Sequence, residues 1–280
     1  MIAYSLKDIR RAVGLELGDM VVLTATAAGT TTSLIDTKNL WLPDGVCKGR
    51  MLYFTDGTAA NIGAKKTITG SSQSLGNVSW SVALGTATAA NDVGELWNTR
   101  GIGWDPVNEV NAVINNALRK ASAYAWIPGV ASITTAFDQD TGTFTIPGGT
   151  RAIYAVEWQD DDDLWREVPK AKGIGQWGWS HARGTNKVAI AGDLASTVDT
   201  RTLRIRRYTD TSVLDADDDE TEISFDYLLS DVVATLLGAA FDRSPNERGL
   251  FQRWQRAADE AHRKRDLIGG RPMSNVVLVE

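Results

Sequence analysis

Four stretches of this chain carry apolar residues at helical spacing, and the text between them alternates apolar and polar residues in twos. In SLKDIRRAV, Leu6, Ile9 and Val13 share one helical face, so Ser5 to Val13 predicts a short helix. Ser5 and Asp8 form a shortened capping box, and Gly14 and Gly18 end the helix. Asp105 is a good N-cap, Pro106 suits the first helical position and Glu109 favours the positive helix end. Val107, Val110, Ile114, Ala117, Leu118 and Ala121 then make one stripe, and Pro128-Gly129 stops a helix predicted over 105–126. Asp226 heads a third helix, 226–241, with Leu228, Leu229, Val232, Val233, Leu236, Leu237 and Ala240 filling more than one face. Ser244-Pro245-Asn246-Glu247 reads as a capping box opening a fourth, 244–268, whose buried stripe is Phe251, Trp254, Ala258 and Ala261. So short a connection makes the last two an antiparallel hairpin.

The alternating text falls into two blocks. VVLTATA, TTSLIDT, RMLYFTD, AKKTITG, VSWSVAL and VGELWN, separated by Gly, Asn, Asp and Pro, predict a small antiparallel barrel or sandwich between Met20 and Asn98. TGTFTIP, AIYAVEWQ, LWREVP, KVAIAG and TLRIRRYT predict further half-buried strands between Val130 and Ile223. The expected fold is therefore α+β: a small helical bundle core of four helical segments, carrying two antiparallel β insertions and an extended C-terminal tail. The divisions are an N-terminal bundle helix (1–18), β module 1 (19–103), a bundle helix (104–129), β module 2 (130–223), the helical hairpin (224–270) and the tail (271–280).

Composition narrows the function. At 280 residues the chain has length for one or two domains with a sizeable core, and its net charge of −6 gives it no overall attraction to nucleic acid. No apolar run reaches a membrane span, and the N-terminus lacks a signal-peptide core, which predicts a protein made in the cytoplasm. Cys47 is the single cysteine, and His181 and His262 are the only histidines, a poor set for metal. Acid runs at Asp160–Asp163 and Asp215–Glu220 lack calcium-loop spacing and read as solvated hairpin tips. There is no nucleophile elbow, phosphate loop or dinucleotide fingerprint, so no enzyme chemistry and no cofactor is expected. Ten tryptophans spread through the chain read mostly as core; Trp177 and Trp179 would make a stacking platform if the chain were a carbohydrate-binding module.

Two features point to assembly. Arg253, Arg256, His262, Arg263, Lys264, Arg265 and Arg271 gather on and after the last helix. Cations in a final turn complement the helix dipole, and the same charges suit an acidic partner. A third reading pairs Arg253, Trp254, Arg256, Arg263 and Arg265 with Asp217, Asp218 and Asp219 of a neighbouring subunit. The tail RPMSNVVLVE breaks the helix at Gly269-Gly270 and ends in a β-favouring run. That run either pairs with the chain's own sheet or adds to a partner's edge or groove.

Several segments carry a family resemblance. TTSLIDTKNLWLPDGVCKGRMLYFTDGTAANIGAKKTIT, closing at Asp92-Val93-Gly94-Glu95-Leu96-Trp97, looks like a β module common in phage structural proteins. AIYAVEWQDDDDLWREV and TLRIRRYTDTSVLDADDDETEISFDYLLSDVVATLL, with the closing RWQRAADEAHRKR, resemble the head-to-tail adaptor (connector) proteins of tailed bacteriophages. The resemblance implies a non-enzymatic virion protein in the head-tail connector region. It implies a homo-oligomeric ring, usually twelvefold, below the portal protein and above tail, tail-terminator or nozzle proteins. DNA would pass through its channel without sequence-specific binding, and the tail residues Arg271, Pro272, Val276, Val277, Leu278 and Val279 would dock the portal. Another phage tail or baseplate protein is the alternative, and a Trp-rich carbohydrate-binding module a more distant one.

Overall fold

The computed structural model describes residues 3–98, 105–122, 125, 127–133, 142–171, 178–182, 185–191, 201–265, 268 and 277–278. The chain divides into two compact units, Met1–Arg119 with Val213–Asp266, and Lys120–Ser212 with Leu267–Glu280.

The first unit holds β1 (Tyr4–Ser5), α1 (Leu6–Leu17), β2 (Met20–Thr24), β3 (Ala27–Thr30), β4 (Ser33–Ile35), β5 (Met51–Asp56), β6 (Lys65–Ser72), β7 (Asn77–Trp80) and β8 (Val93–Trp97). The helix α2 (Pro106–Ala121) follows, its last two residues falling in the second unit. Seven strands form one antiparallel sheet in the order β2-β8-β5-β6-β7-β4-β3. β6 is shared between its halves: Met51 to Tyr53 pair with Lys65 to Thr67, whereas Ile68 onward pairs with β7, with a register shift between Ile68 and Gly70. The two edges, β2 and β3, are consecutive in the chain with only Ala25 and Thr26 between them, so the sheet folds over one core. Leu23, Leu34, Leu52, Phe54, Ile68, Val78, Trp80 and Leu96 fill that core. Alternation along six short runs is what produces it.

The second unit holds β9 (Ile127–Ser132), β10 (Thr143–Thr145), β11 (Thr150–Gln159), β12 (Trp165–Val168), β13 (Gly178–Ala182), β14 (Lys187–Ala191) and β15 (Leu203–Thr209). One sheet runs β12-β11-β15-β9 and the other β10-β14-β13. Phe144, Val188, Ile190 and Trp179 from one sheet and Ile153, Val156, Val168, Leu203 and Ile205 from the other share a core. Back in the first unit, β16 (Glu220–Thr221) pairs with β1, and α3 (Phe225–Arg243) and α4 (Arg248–Arg265) close the helical part.

The helices do not form a core bundle, which corrects the expected fold class. Among the described residues the molecule is a mixed α/β protein with four sheets, one of them seven-stranded, and α1 packs against β2 of that sheet. α4 contacts α3, and α1 contacts α3, but α1 is fixed to the sheet by ion pairs, and α4 buries Ala261 alone. Helical periodicity reports that a helix has an apolar side; it does not report whether another helix, a sheet or solvent faces that side.

Helix ends show where local signals acted. Ser5 accepts the Asp8 N–H at 3.2 Å and donates to the Asp8 carboxylate at 2.7 Å, the shortened capping box. α1 nevertheless runs through Gly14 to Leu17 and ends at Gly18, whose φ is 73°. Asp105 accepts the Asn108 N–H at 3.1 Å ahead of α2, and all six stripe residues of that helix are buried. Ser244 caps α3 instead of opening α4: its N–H donates to Ala240 and Phe241, and α4 starts at Arg248. Asp226 lies in the first turn of α3, whose N-cap is Ser224.

Candidate assembly surface and the ion network behind it

Arg10 and Glu95 are both fully buried. Leu6, Ile9 and Val13 put their face of α1 against the first unit's interior, and Arg10, four residues after Leu6 and three before Val13, lies on it. Glu95 shares its face of β8 with Val93 and Trp97. Arg10 Nε donates to Glu95 Oε2 at 2.8 Å and Nη2 to Oε1 at 3.1 Å. The same guanidinium donates to Asp217 Oδ1 at 2.6 Å and Oδ2 at 3.0 Å, and to Asn111 Oδ1 at 3.4 Å. These bonds use all five guanidinium donors, which is what makes a buried arginine tolerable.

The network extends along α1. Arg11 donates to Glu95 at 3.2 Å and to Asp56 at 3.0 Å, and Lys7 to Asp56 at 2.7 Å. Trp97 Nε1 adds a bond to Glu95 at 3.2 Å. Three cations of α1 thus face three carboxylates from β5, β8 and the 215–220 loop. Burial alone lowers the Arg10 pKa, but the hydrogen bonds and charges of Asp217 and Glu95 outweigh it and hold the guanidinium well above its ordinary range. Tyr53 stacks under Arg10 at 4.9 Å and donates its hydroxyl to Asp217 at 3.2 Å. Burial, with the Asp217 charge second, pushes its pKa up to about 12. Asp56 moves the other way: burial would raise its pKa, but the Lys7 and Arg11 hydrogen bonds bring it below its ordinary value.

α3 contacts α1 and forms a hairpin with α4. α3 buries Tyr227, Leu228, Val232, Val233, Leu236 and Leu237 among others, whereas α4 buries Ala261 alone. Phe241 and Trp254 stack at 5.8 Å with 8° between their planes, and Phe251 lies 5.3 Å from Phe241 while 37% exposed. Gly238 permits this, because a Cβ there would come within 2.9 Å of Trp254 Nε1. A groove of about 390 Å³ runs beside the hairpin, with Leu229, Val233, Leu237 and Ala257 as apolar lining and Arg253 and Arg256 among its polar groups. A second of about 380 Å³ adjoins it, sharing Leu237 and Arg253. α4 carries six Lys and Arg against two acids, so the remainder of the chain is more acidic than its total.

The structure sorts the residues expected to build a ring interface. Arg253, Trp254 and Arg256 come together on the hairpin. Arg253 Nη2 also reaches the Leu17 carbonyl at 3.3 Å, meeting the negative end of α1. Arg263 donates to the Asp259 carbonyl at 3.4 Å, and Arg265 meets His262 Nδ1 at 2.7 Å, both along the last turns of α4. Asp217 is engaged by Arg10, and Asp219 accepts the Asp215 and Ala216 N–H groups at 2.7 and 2.8 Å, which hold its pKa below the usual carboxylate range. Asp218 is exposed.

Of the tail, Arg271, Pro272, Val276 and Val279 lie outside the described residues. Val277–Leu278 forms β17, antiparallel to β11, with Ala152 opposite Leu278 and Ile153 opposite Val277. Those two residues therefore have a strand partner within the chain. Trp179 is fully buried in the second core and offers no exposed platform; Trp177 lies outside the described residues. The acidic tip at Asp160–Asp163 is tied by Arg166 and Arg201. Among the described residues no group of three or more His, Cys, Asp or Glu is placed to hold a metal ion, and no helix is long and apolar enough to cross a membrane. Sequence reasoning missed Arg10 and Glu95, although the flanking Leu6, Ile9 and Val13 already placed Arg10 beside the apolar face. No protein-family model matches the chain, and no curated protein matches it significantly in sequence.

Proposed function

We propose that this chain is a non-enzymatic structural component of a tailed-phage virion, a head-to-tail adaptor that joins copies of itself into a ring below the portal. The observation that supports it most is α4: an amphipathic helix packed on α3 through Trp254 and Ala261, with Phe251 at the rim of that contact and Arg253 and Arg256 exposed beside a groove. Trp, Phe and Arg around an apolar groove are the composition of protein contact surfaces. A helix that packs on one neighbour only and fully buries a single residue gains from a partner. The Arg10 network supports the same reading, since a braced interior keeps the presenting surface rigid. In this reading the ring is twelvefold, and its acidic channel lets DNA slide because carboxylate and phosphate repel. The reading rests on the α3–α4 surface and not on a bundle core. It also leaves out portal docking by Val277 and Leu278, which are already paired. Mixing the protein with the portal of the same phage, and weighing and imaging the product, tests it.

A further inference from the structure

We propose that Trp41 is the anchor of the contact between copies, seated in the α3–α4 groove of the next copy. The proposal rests on the self-association proposed above and names the two surfaces that meet. Leu40 and Leu42 are buried in the first unit's core, whereas Trp41 between them is 64% exposed. The loop that turns it outward is firmly held. Asp36, fully buried, accepts the N–H groups of Thr24, Lys38 and Asn39 at 2.7, 2.9 and 2.9 Å. Gln73 Nε2 donates to the Trp41 carbonyl at 3.0 Å, and the Gln73 N–H donates to Asp44 at 2.6 Å. These bonds tie the loop to the β6–β7 turn, which exposes Leu75, and the loop itself exposes Val46. A large aromatic side chain held in the open by a pre-ordered loop, with apolar neighbours, has the make-up of an interface anchor.

The groove of about 390 Å³ beside the hairpin belongs to the same unit and offers what that anchor needs. Leu229, Val233, Leu237 and Ala257 supply apolar walls for the indole, and Arg253 and Arg256 supply cations for its face. Charges match in both senses. The Trp41 loop exposes Asp44, which suits Arg253 and Arg256, and Lys38 and Lys48, which suit Glu16 of the groove. Two different surfaces of one unit that fit each other make a head-to-tail contact, and such contacts close into rings.

The test uses the full chain, as isotopically heavy and light copies mixed and treated with a short amine-reactive cross-linker. Peptide mass spectrometry should find heavy–light links from Lys38 or Lys48 to Lys264, which lines the groove. Trp41→Ala should reduce those links about tenfold or more, with little change in unfolding because the side chain is exposed. Absence of heavy–light links between these lysines, or links that persist in Trp41→Ala, overturns the proposal. So does loss of portal capping by Trp41→Ala with no such links, which would assign the anchor to the portal. A ring on the portal without the links overturns this contact and leaves the adaptor reading standing. The links without portal capping uphold the contact and remove the adaptor reading.

Discussion

Arg10 and Glu95 are 85 positions apart, yet they meet through two hydrogen bonds of 2.8 and 3.1 Å where both side chains are closed to water. A buried pair of this kind contributes little relative to an apolar substitute, but it is costly to break from one side. Glu95→Gln is expected to cost about 3–5 kcal/mol in denaturant unfolding. Arg10→Met with Glu95→Gln should lose less than the sum of the single changes, by about 1–3 kcal/mol. Additive losses would mean the pair is not coupled.

Gly14→Ala gives a prediction whose sign is informative. Helix propensity alone favours alanine by about 1 kcal/mol. A Cβ at this position would lie 2.6 Å from the Trp97 ring and 2.7 Å from Met20 Cβ, and overpacking costs about 1–3 kcal/mol. The melting temperature should therefore fall. A rise would mean that Trp97 moves aside freely.

Tyr53 makes stability depend on alkaline pH. Its pKa rises from 10.0 unfolded to about 12 folded, so the folded state holds the proton more tightly. Above the unfolded value the unfolded chain binds fewer protons than the native one, and stability falls as pH rises from about 10 to about 12. Tyr53→Phe should remove that part of the slope. An unchanged slope would show that folding does not raise the Tyr53 pKa.

Phe251→Ser with Arg256→Glu should separate folding from assembly. Arg256 is exposed and Phe251 packs on Phe241 and Trp254 only at the rim, so unfolding should cost about 1 kcal/mol, while the proposed association weakens more. Trp254→Ala, which removes the Phe241 stack, should cost stability as well as association.

These outcomes bear on what the residues reveal before folding. The α2 stripe was legible because six apolar residues at helical spacing and an Asp-Pro start agree. The first β block was legible because its turns and alternation are local. Gly14 was read as a stop because the ring that needs its bare Cα belongs to Trp97, far along the chain. Arg10 passed as a polar residue because its partners lie 85 and 207 positions away. The bundle was expected because four helices have apolar faces; that α4 packs on α3 alone, with only Ala261 fully buried, depends on the rest of the fold. Asp217 was read as a loop charge for a neighbour, although Arg10 of the same chain already holds it.

The most direct test of the proposed assembly is the mass and shape of the protein mixed with the portal protein that the proposed function assigns to it, by light scattering and negative-stain imaging, alongside the Phe251→Ser, Arg256→Glu variant. The account predicts a ring capping the portal for the native chain and its loss or marked weakening for the variant. A native chain that stays monomeric beside an unchanged portal would contradict it.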